Sequence, residues 1–349
     1  MCHDSFVWDD VNVAGELKSL WVVSEGSGMV ASIIDFTDVT SDTASEPPLI
    51  SKTPVVRGTF AHSTAAYEKM RFLFQFDESN SDDIDVYDMS DVSQPRLINT
   101  FQYAGESNTN ALPHNGWVHG NTLYVAYYEA GLIAFDISNP YNVQEVGKIE
   151  TFRDPEGDGS FNRQIKGRME GAWNLYTKLP SGNILVSDMY NGLYIVQANA
   201  PYPKPDAPDV SLERNENDDV TLSWNAVPNA RAYFVERSIE GESFVVIAEY
   251  LTTTSYVDSS VGDKVASYIV KAKNSEGEGI GEPRSVERQI TAGPTNGPAL
   301  STPSPSNAVT TQPTPPPTPQ QPTPAEPPTA ATLPTTPLPT FFMTPYPTV

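Results

Sequence analysis

Three histidines occupy matching places in the first half of the chain. His3, His62 and His114 are 59 and 52 residues apart, and each lies shortly before an apolar, strand-like segment. Imidazole nitrogens are common ligands of divalent transition metals. If the fold brings these segments together, the three side chains could form a site for a divalent cation.

Acidic residues recur in a second register, after the next strand-like segment of each unit. Glu25, Glu78 and Asp188 fall at matching positions there, and with the three histidines they complete the predicted metal-ligand set. The third unit interrupts this register, because it carries Tyr127 and Tyr128 where the others carry acids. In the alternative interpretation, the repeated polar side chains are structural and bond to the backbone between units. No Gly-x-Ser-x-Gly or glycine-rich phosphate loop occurs, so no catalytic residue is assigned.

Short strands in a repeated pattern would position these side chains. Similar units begin near His3, His62, His114 and Gly171, which places their starts 59, 52 and 57 residues apart. Each unit has about four segments rich in β-branched and aromatic residues, separated by turn formers. This period is typical of β-propeller blades, which stack on their neighbours to bury both faces. A β-sandwich with coincidental similarity is the alternative.

Aspartates close a strand in three of the units, at Asp35, Asp88 and Asp136. A carboxylate in this position can accept a hydrogen bond from a backbone amide of the turn that follows. These three aspartates are therefore predicted to stabilise turns and are not assigned to a binding site.

The repeated segments carry a resemblance to known families. A resemblance to the LVIVD-type repeat is carried by the strand ends IIDFTDV, DVYDMSDVSQP and AFDISNP. Residues 1–198 resemble the choice-of-anchor B family more specifically, through CHD, AHS, PHNGWVHGN and GAWNLYTKLPSGNILVSDMYNGLYIV. This resemblance implies a secreted or surface-attached propeller-like protein, in a family mostly without known activity. It also implies a signal peptide and further units, neither visible here, so the four units are predicted to be the C-terminal part of a larger propeller. A closed four-bladed ring is the alternative.

Residues 199–206 are predicted to be a proline-stiffened linker, followed by a β-sandwich over residues 207–291. Val220, Leu222 and Trp224 alternate onto one face of a strand. The Trp224 strand, ARAYFVERS and YIVKAKNSEGEG resemble a fibronectin type III domain. That resemblance implies that Trp224 and Tyr268 are core residues.

Residues 292–349 differ sharply in composition from the rest of the chain. Of the 32 prolines, 18 lie beyond residue 293, among threonine and serine. Such a segment has too little apolar surface to fold and is predicted to be disordered. Its composition is typical of an O-glycosylated stalk, and an unmodified linker is the alternative.

Composition excludes several classes of function. A formal net charge of -23, from 44 acidic and 21 basic residues, argues against a nucleic-acid partner and would help to recruit a cation. The single cysteine, Cys2, excludes an internal disulfide framework and a cysteine-built zinc site. No apolar run approaches the roughly 18 residues that a transmembrane helix needs, and no signal peptide is visible.

These features predict an all-β protein with a partial propeller of about four units, a fibronectin type III sandwich and a disordered tail. The leading functional hypothesis is a non-enzymatic binding or adhesion protein, located outside the cell or on its surface. Its propeller face would hold a protein or glycan ligand, and the sandwich and stalk would act as a spacer. The alternatives are a metal-dependent enzyme with its site at the propeller mouth, using a divalent cation, and a purely structural wall or matrix protein.

Overall fold

The computed structural model describes residues 2–39, 47–55, 60–79, 83–104, 111–152 and 170–287. Every regular element in these ranges is a β-strand, which confirms the predicted all-β class. Within the same ranges, no helix is long and apolar enough to cross a membrane. The predicted stalk, residues 292–349, lies outside the described residues.

Four antiparallel sheets form the first part of the chain, and the strands of each sheet pair in sequence order. The first two sheets contain β1 (Asp4–Val13), β2 (Glu16–Ser24), β3 (Ala31–Asp35) and β4 (Leu49–Lys52), then β5 (Ala61–Tyr67), β6 (Phe72–Asp77), β7 (Asp83–Asp88) and β8 (Arg96–Gln102). The third contains β9 (Asn115–His119), β10 (Thr122–Ala126), β11 (Leu132–Asp136) and β12 (Gln144–Ile149), and the fourth contains β13 (Ala172–Tyr176), β14 (Ile184–Asp188) and β15 (Gly192–Val196). We refer to these sheets as repeats one to four.

The third repeat shows how local sequence sets the strand ends. Strands β10 and β11 are buried along their whole length, as expected for apolar, β-branched segments covered on both faces. The turn between them closes with the amide of Tyr127 donating to the carbonyl of Gly131 at 2.8 Å. Gly131 has a φ of +83°, and a Cβ there would lie 2.1 Å from the carbonyl oxygen of Ile149. Glycine is therefore required at this position.

The strand-closing aspartates stabilise turns, as predicted. The Oδ1 atoms of Asp35, Asp88 and Asp136 accept hydrogen bonds from backbone amides two residues later, at 3.1, 2.9 and 2.9 Å respectively. Each carboxylate satisfies a turn amide that the sheet leaves without a partner.

The second and third repeats bury both of their faces against neighbouring repeats. Adjacent residues of β6 enter different cores: Leu73 packs with repeat one and Phe74 packs with repeat three. In the third repeat, Leu123 faces the core shared with repeat two, and Tyr124 faces the core shared with repeat four. Because side chains alternate along a strand, a two-sided apolar pattern needs a sheet on each side. The predicted stacking of neighbouring units follows from this pattern.

A separate two-sheet sandwich forms the second part of the described chain. One sheet has the order β16 (Val210–Arg214), β17 (Val220–Trp224) and β20 (Ser255–Asp258). The other has the order β19 (Val245–Leu251), β18 (Ala232–Ile239), β21 (Ala266–Asn274) and β22 (Gly277–Ile280), with β23 (Arg284–Val286) also paired to β21. Trp224 and Tyr268 lie in its core with exposures of 6% and 1%, which confirms the core role predicted for them.

A mixed apolar and charged contact joins the sandwich to the second and third repeats. The ring of Tyr250 packs edge-on against Phe72, with centroids 5.6 Å apart, inside the core that those repeats share. Beside it, Nη1 of Arg71 donates to Oε1 of Glu249 at 2.9 Å. The hydroxyl of Tyr250 donates to Oε2 of Glu68 at 2.6 Å. The sandwich thus shares buried surface with the repeats.

Candidate metal and ligand site

The first strands of the four repeats, β1, β5, β9 and β13, contact one another in succession, and we call them the inner strands. One aromatic side chain at the start of each inner strand contributes to a continuous row of rings. The row consists of His3, His62, His114 and Trp173, with successive centroids 4.4, 4.0 and 4.0 Å apart. The structure therefore brings the three predicted histidines together and adds a tryptophan from repeat four.

Strand pairing shows that the four rings occupy equivalent positions. The residue after each ring pairs with the second strand of its own repeat, in the pairs Asp4–Ser24, Ser63–Phe76, Asn115–Ala126 and Asn174–Ser187. The register shifts at His62 in the pairing of β5 with β6, and at Trp173 in the pairing of β13 with β14. Such β-bulges redirect a side chain relative to the regular pleat, and here they aim two of the rings into the row.

Glu78, which directly follows β6, supplies a carboxylate to this row. Its Oε2 lies 3.5 Å from Nε2 of His62, and its Oε1 lies 3.8 Å from Nε2 of His114. One ligand atom each from His3, His62 and Glu78 lies within 4.8 Å of the other two. His62, His114 and Glu78 are enclosed, with side-chain exposures of 6%, 2% and 8%, whereas His3 is exposed.

Backbone carbonyls of the neighbouring repeats orient two of the imidazoles. Nδ1 of His3 lies 3.2 Å from the carbonyl oxygen of His62, and Nδ1 of His114 lies 2.6 Å from that of Trp173. A carbonyl oxygen only accepts, so Nδ1 of His3 carries the proton and its Nε2 keeps a lone pair. Nδ1 of His114 also lies 2.7 Å from Nδ2 of Asn115. This bonding between repeats is the structural role considered as the alternative to metal binding. The two roles are compatible, because metal-binding histidines commonly donate their second nitrogen to such an acceptor.

Burial keeps the enclosed imidazoles neutral at neutral pH. Burial, together with the neighbouring His114 and His3, lowers the pKa of His62 to about 3. Burial also lowers the pKa of His114 to about 4, against the opposing effect of its bond to the Trp173 carbonyl. The pKa of Glu78 is raised by burial, although the hydrogen bond from Tyr128 opposes the shift. The contacts of the two imidazoles with Glu78 are therefore not ion pairs at neutral pH. They bring imidazole nitrogens and carboxyl oxygens, which are electron-pair donors, close together.

Glu25 and Asp188 have other partners. Oε1 of Glu25 pairs with Nζ of Lys52 at 2.6 Å and accepts from the hydroxyl of Ser32. Oδ2 of Asp188 accepts from the hydroxyl of Thr151 at 2.8 Å. Neither residue belongs to the group of potential ligands formed within the described ranges.

The register of the strands explains why Glu78 differs from Glu25 and Asp188. The count starts at the second-strand residue of each pair given above and runs toward the C-terminus. The first position after it holds Glu25, Asp77, Tyr127 and Asp188, and the second position holds Gly26, Glu78, Tyr128 and Met189. Side chains on neighbouring positions of a strand point in opposite directions. Glu78 lies one residue beyond the other two acids, so it reaches the ring row while they point elsewhere.

Tyr128 and Trp173 belong to the site although sequence reasoning did not select them. Tyr128 interrupts the acidic register, but its hydroxyl donates to Oε1 of Glu78. Burial and this bond raise the pKa of the Tyr128 phenol, which therefore stays protonated and remains a donor. Tyr128 shares the repeat position of Glu78, and Trp173 shares that of the histidines. Alignment of the repeats on their strand pairs would have found both.

A cavity of about 390 Å³ opens along the inner strands beside the ring row. Its lining includes the residue that follows each ring, namely Asp4, Ser63, Asn115 and Asn174. Trp8, Thr64 and Trp117 also line it, and Nζ of Lys178 lies 5.3 Å from the ring centroid of Trp117. Nε1 of Trp8 and the hydroxyl of Thr64 are buried without a hydrogen-bond partner among the described residues. The cavity thus offers aromatic surface together with polar side chains on its wall.

The third repeat matches a known family model. Residues 115–151 match the LVIVD repeat, a span that contains β9 to β12 and confirms the predicted repeat type for this unit. No curated protein matches the chain significantly.

Several solved structures are similar to parts of the chain. An Fn3-like protein from Clostridium thermocellum is 28% identical over 24% of this chain and 92% of its own, with a TM-score of 0.22. The FN5 domain of Drosophila Lar is 20% identical over 24% of this chain and 96% of its own, with a TM-score of 0.21. The periplasmic gluconolactonase of Pseudomonas aeruginosa is 13% identical over 81% of this chain and 84% of its own, with a TM-score of 0.32.

Proposed function

We propose that this chain is a non-enzymatic binding protein of the cell surface or extracellular space, and that the inner-strand cavity is its ligand site. The observation that carries the proposal is the lining of that cavity by equivalent polar residues from all four repeats. A volume of about 390 Å³ suits a small ligand or the end of a larger one. The expected ligand is a glycan or a protein segment.

The chemistry of the lining favours a neutral glycan over a protein segment. Trp8 and Trp117 offer apolar ring faces, while Asn115 and Asn174 offer amide donors and acceptors. Nζ of Lys178, which lies 5.3 Å from the ring centroid of Trp117, adds a hydrogen-bond donor to the cavity wall. Aromatic faces combined with fixed hydrogen-bonding groups suit sugar rings.

We also propose that residues 1–198 are a choice-of-anchor B type partial propeller and that residues 207–291 are a fibronectin type III domain. The succession of meander sheets and the LVIVD match support the first assignment. The division of the sandwich strands between two sheets, with Trp224 and Tyr268 between them, supports the second. The extracellular location rests on the family resemblance and on the composition of residues 292–349.

Screening the full chain on an array of neutral oligosaccharides, followed by calorimetric titration of the tightest binder, tests this proposal. Asn174→Ala removes an exposed amide from the cavity wall, so it should weaken binding about five- to tenfold. Asn217→Ala, at an exposed turn position of the sandwich, is the matched control and should leave the affinity unchanged. Equal affinities for the two variants would exclude the cavity as the binding site.

Two alternative functions give different results in the same experiments. The convergence of imidazoles with Glu78 favours a metal-dependent enzyme as the second candidate. An enzyme would turn over chromogenic ester or glycoside substrates after metal loading and would lose that turnover in Glu78→Gln. A purely structural wall or matrix protein would show neither turnover nor ligand binding.

A further inference from the structure

We propose that His3, His62 and Glu78 bind one divalent transition-metal ion of the zinc class at the edge of the inner-strand cavity. The proposal goes beyond the ligand-binding function and stands whether or not the cavity holds a glycan. It rests on the convergence of three potential ligand atoms from two repeats within 4.8 Å.

The spacing of the donors suits a metal ion. Ligand atoms bound at about 2.1 Å in a tetrahedral zinc site lie about 3.4 Å from one another. Nε2 of His62 and Oε2 of Glu78 are already 3.5 Å apart. His3 is exposed, so its ring can shift by the small distance needed to complete the set.

The enclosed donors are held in place before a metal binds. Tyr128 donates to Oε1 of Glu78, and Nε2 of His114 lies 3.8 Å from the same oxygen. These contacts leave Oε2 of Glu78 directed at His62. Tyr128 therefore acts as a positioning residue, comparable to the hydrogen-bonded partners that orient ligands in other metal sites.

The ligand set selects the class of metal. Calcium and magnesium prefer sites built from oxygen atoms, whereas two imidazoles and one carboxylate suit zinc and its neighbours in the first transition series. Three protein ligands leave a coordination position open, and the exposure of His3 provides a route to it from solvent. Zinc and cobalt should therefore bind, and calcium should not compete with them.

Metal loading of the full-length, tag-free chain tests the proposal. After chelator treatment, the protein is incubated with Zn²⁺ and passed through a desalting column, and the retained metal is measured by elemental analysis. Wild type should retain one equivalent, and Co²⁺ should give the visible absorption of a low-symmetry site. Competition with a chromophoric chelator should show binding at least about 100-fold weaker in His3→Ala and in Glu78→Gln.

Matched variants separate this site from adventitious binding. His119, the fourth histidine, is exposed at the end of β9, so His119→Ala should bind like wild type. Cys2 is an exposed thiol next to His3, and Cys2→Ser should also bind normally. His3→Ala changes an exposed side chain, so a failure to fold would not explain its loss of metal. Circular dichroism checks that Glu78→Gln is folded. Wild-type affinity in Glu78→Gln, or loss of metal in Cys2→Ser, would overturn the proposal.

Discussion

Glu68 holds the sandwich against the second repeat, and its replacement by glutamine should destabilise the folded chain. Oε1 of Glu68 accepts from Nζ of Lys273 at 2.9 Å, and Oε2 accepts from the hydroxyl of Tyr250 at 2.6 Å. Burial raises the pKa of Glu68, but the hydrogen bonds from Lys273 and Tyr250 outweigh it and leave the pKa lowered. The folded chain therefore favours the charged carboxylate, which Glu68→Gln removes.

The expected loss follows from the burial of the partner. The Lys273 side chain is only 9% exposed, so water cannot replace the carboxylate that neutralises it. A hydrogen bond between charged groups contributes about 1.5–3 kcal/mol, and an amide oxygen restores part of it. We expect Glu68→Gln to lower the free energy of unfolding by about 2 kcal/mol. The double variant Glu68→Gln/Lys273→Met removes both charges. Its loss of unfolding free energy should be about 1 kcal/mol smaller than the sum of the losses in the two single variants.

Urea denaturation followed by tryptophan fluorescence gives the measurement. Glu16→Gln is the control, because Glu16 is 78% exposed and its contact with Lys18 is 3.7 Å long. It should leave the free energy of unfolding unchanged. Equal effects of Glu68→Gln and Glu16→Gln, with no coupling between Glu68 and Lys273, would refute the role assigned to the contact.

Two further predictions concern the buried carboxylate of Asp258 in the sandwich and the close contact of Gly116 with Phe76 in the repeats. Burial raises the pKa of Asp258, but the hydrogen bond from Arg237 and smaller contributions outweigh burial and leave the pKa lowered. The charged carboxylate therefore stabilises the folded chain above about pH 4, and this stabilisation is lost as the pH falls through the folded pKa. Asp258→Asn should cost about 3 kcal/mol at pH 7 by urea denaturation, with a deficit that shrinks in acid. Gly116→Ala should cost about 2 kcal/mol, because its Cβ would lie 2.2 Å from the buried Phe76 ring. Gly120→Ala meets no atom within 4 Å, so its cost, about 1 kcal/mol, comes from the φ of +59° at that position.

Features encoded by neighbouring residues were predictable from the sequence. The turns at Asp35, Asp88 and Asp136 depend on a carboxylate and an amide two residues apart, so a short segment determines them. Burial of Trp224 and Tyr268 likewise followed from alternation and family resemblance. The partners of Glu25 and Asp188 were not predictable, because Lys52 comes from another strand and Thr151 from the segment after β12.

The sequence by itself determined the repeat, its strands and the matching places of His3, His62 and His114, because periodic apolar patterns and turn residues act locally. The tertiary structure decided which acid joins those histidines. A bulge at His62 and a one-residue offset at Glu78 turn both side chains into the ring row, and Tyr128 then meets the carboxylate from the next repeat. Side-chain direction reverses with each residue of a strand, so register across the sheet, rather than residue type, settles the membership of the site.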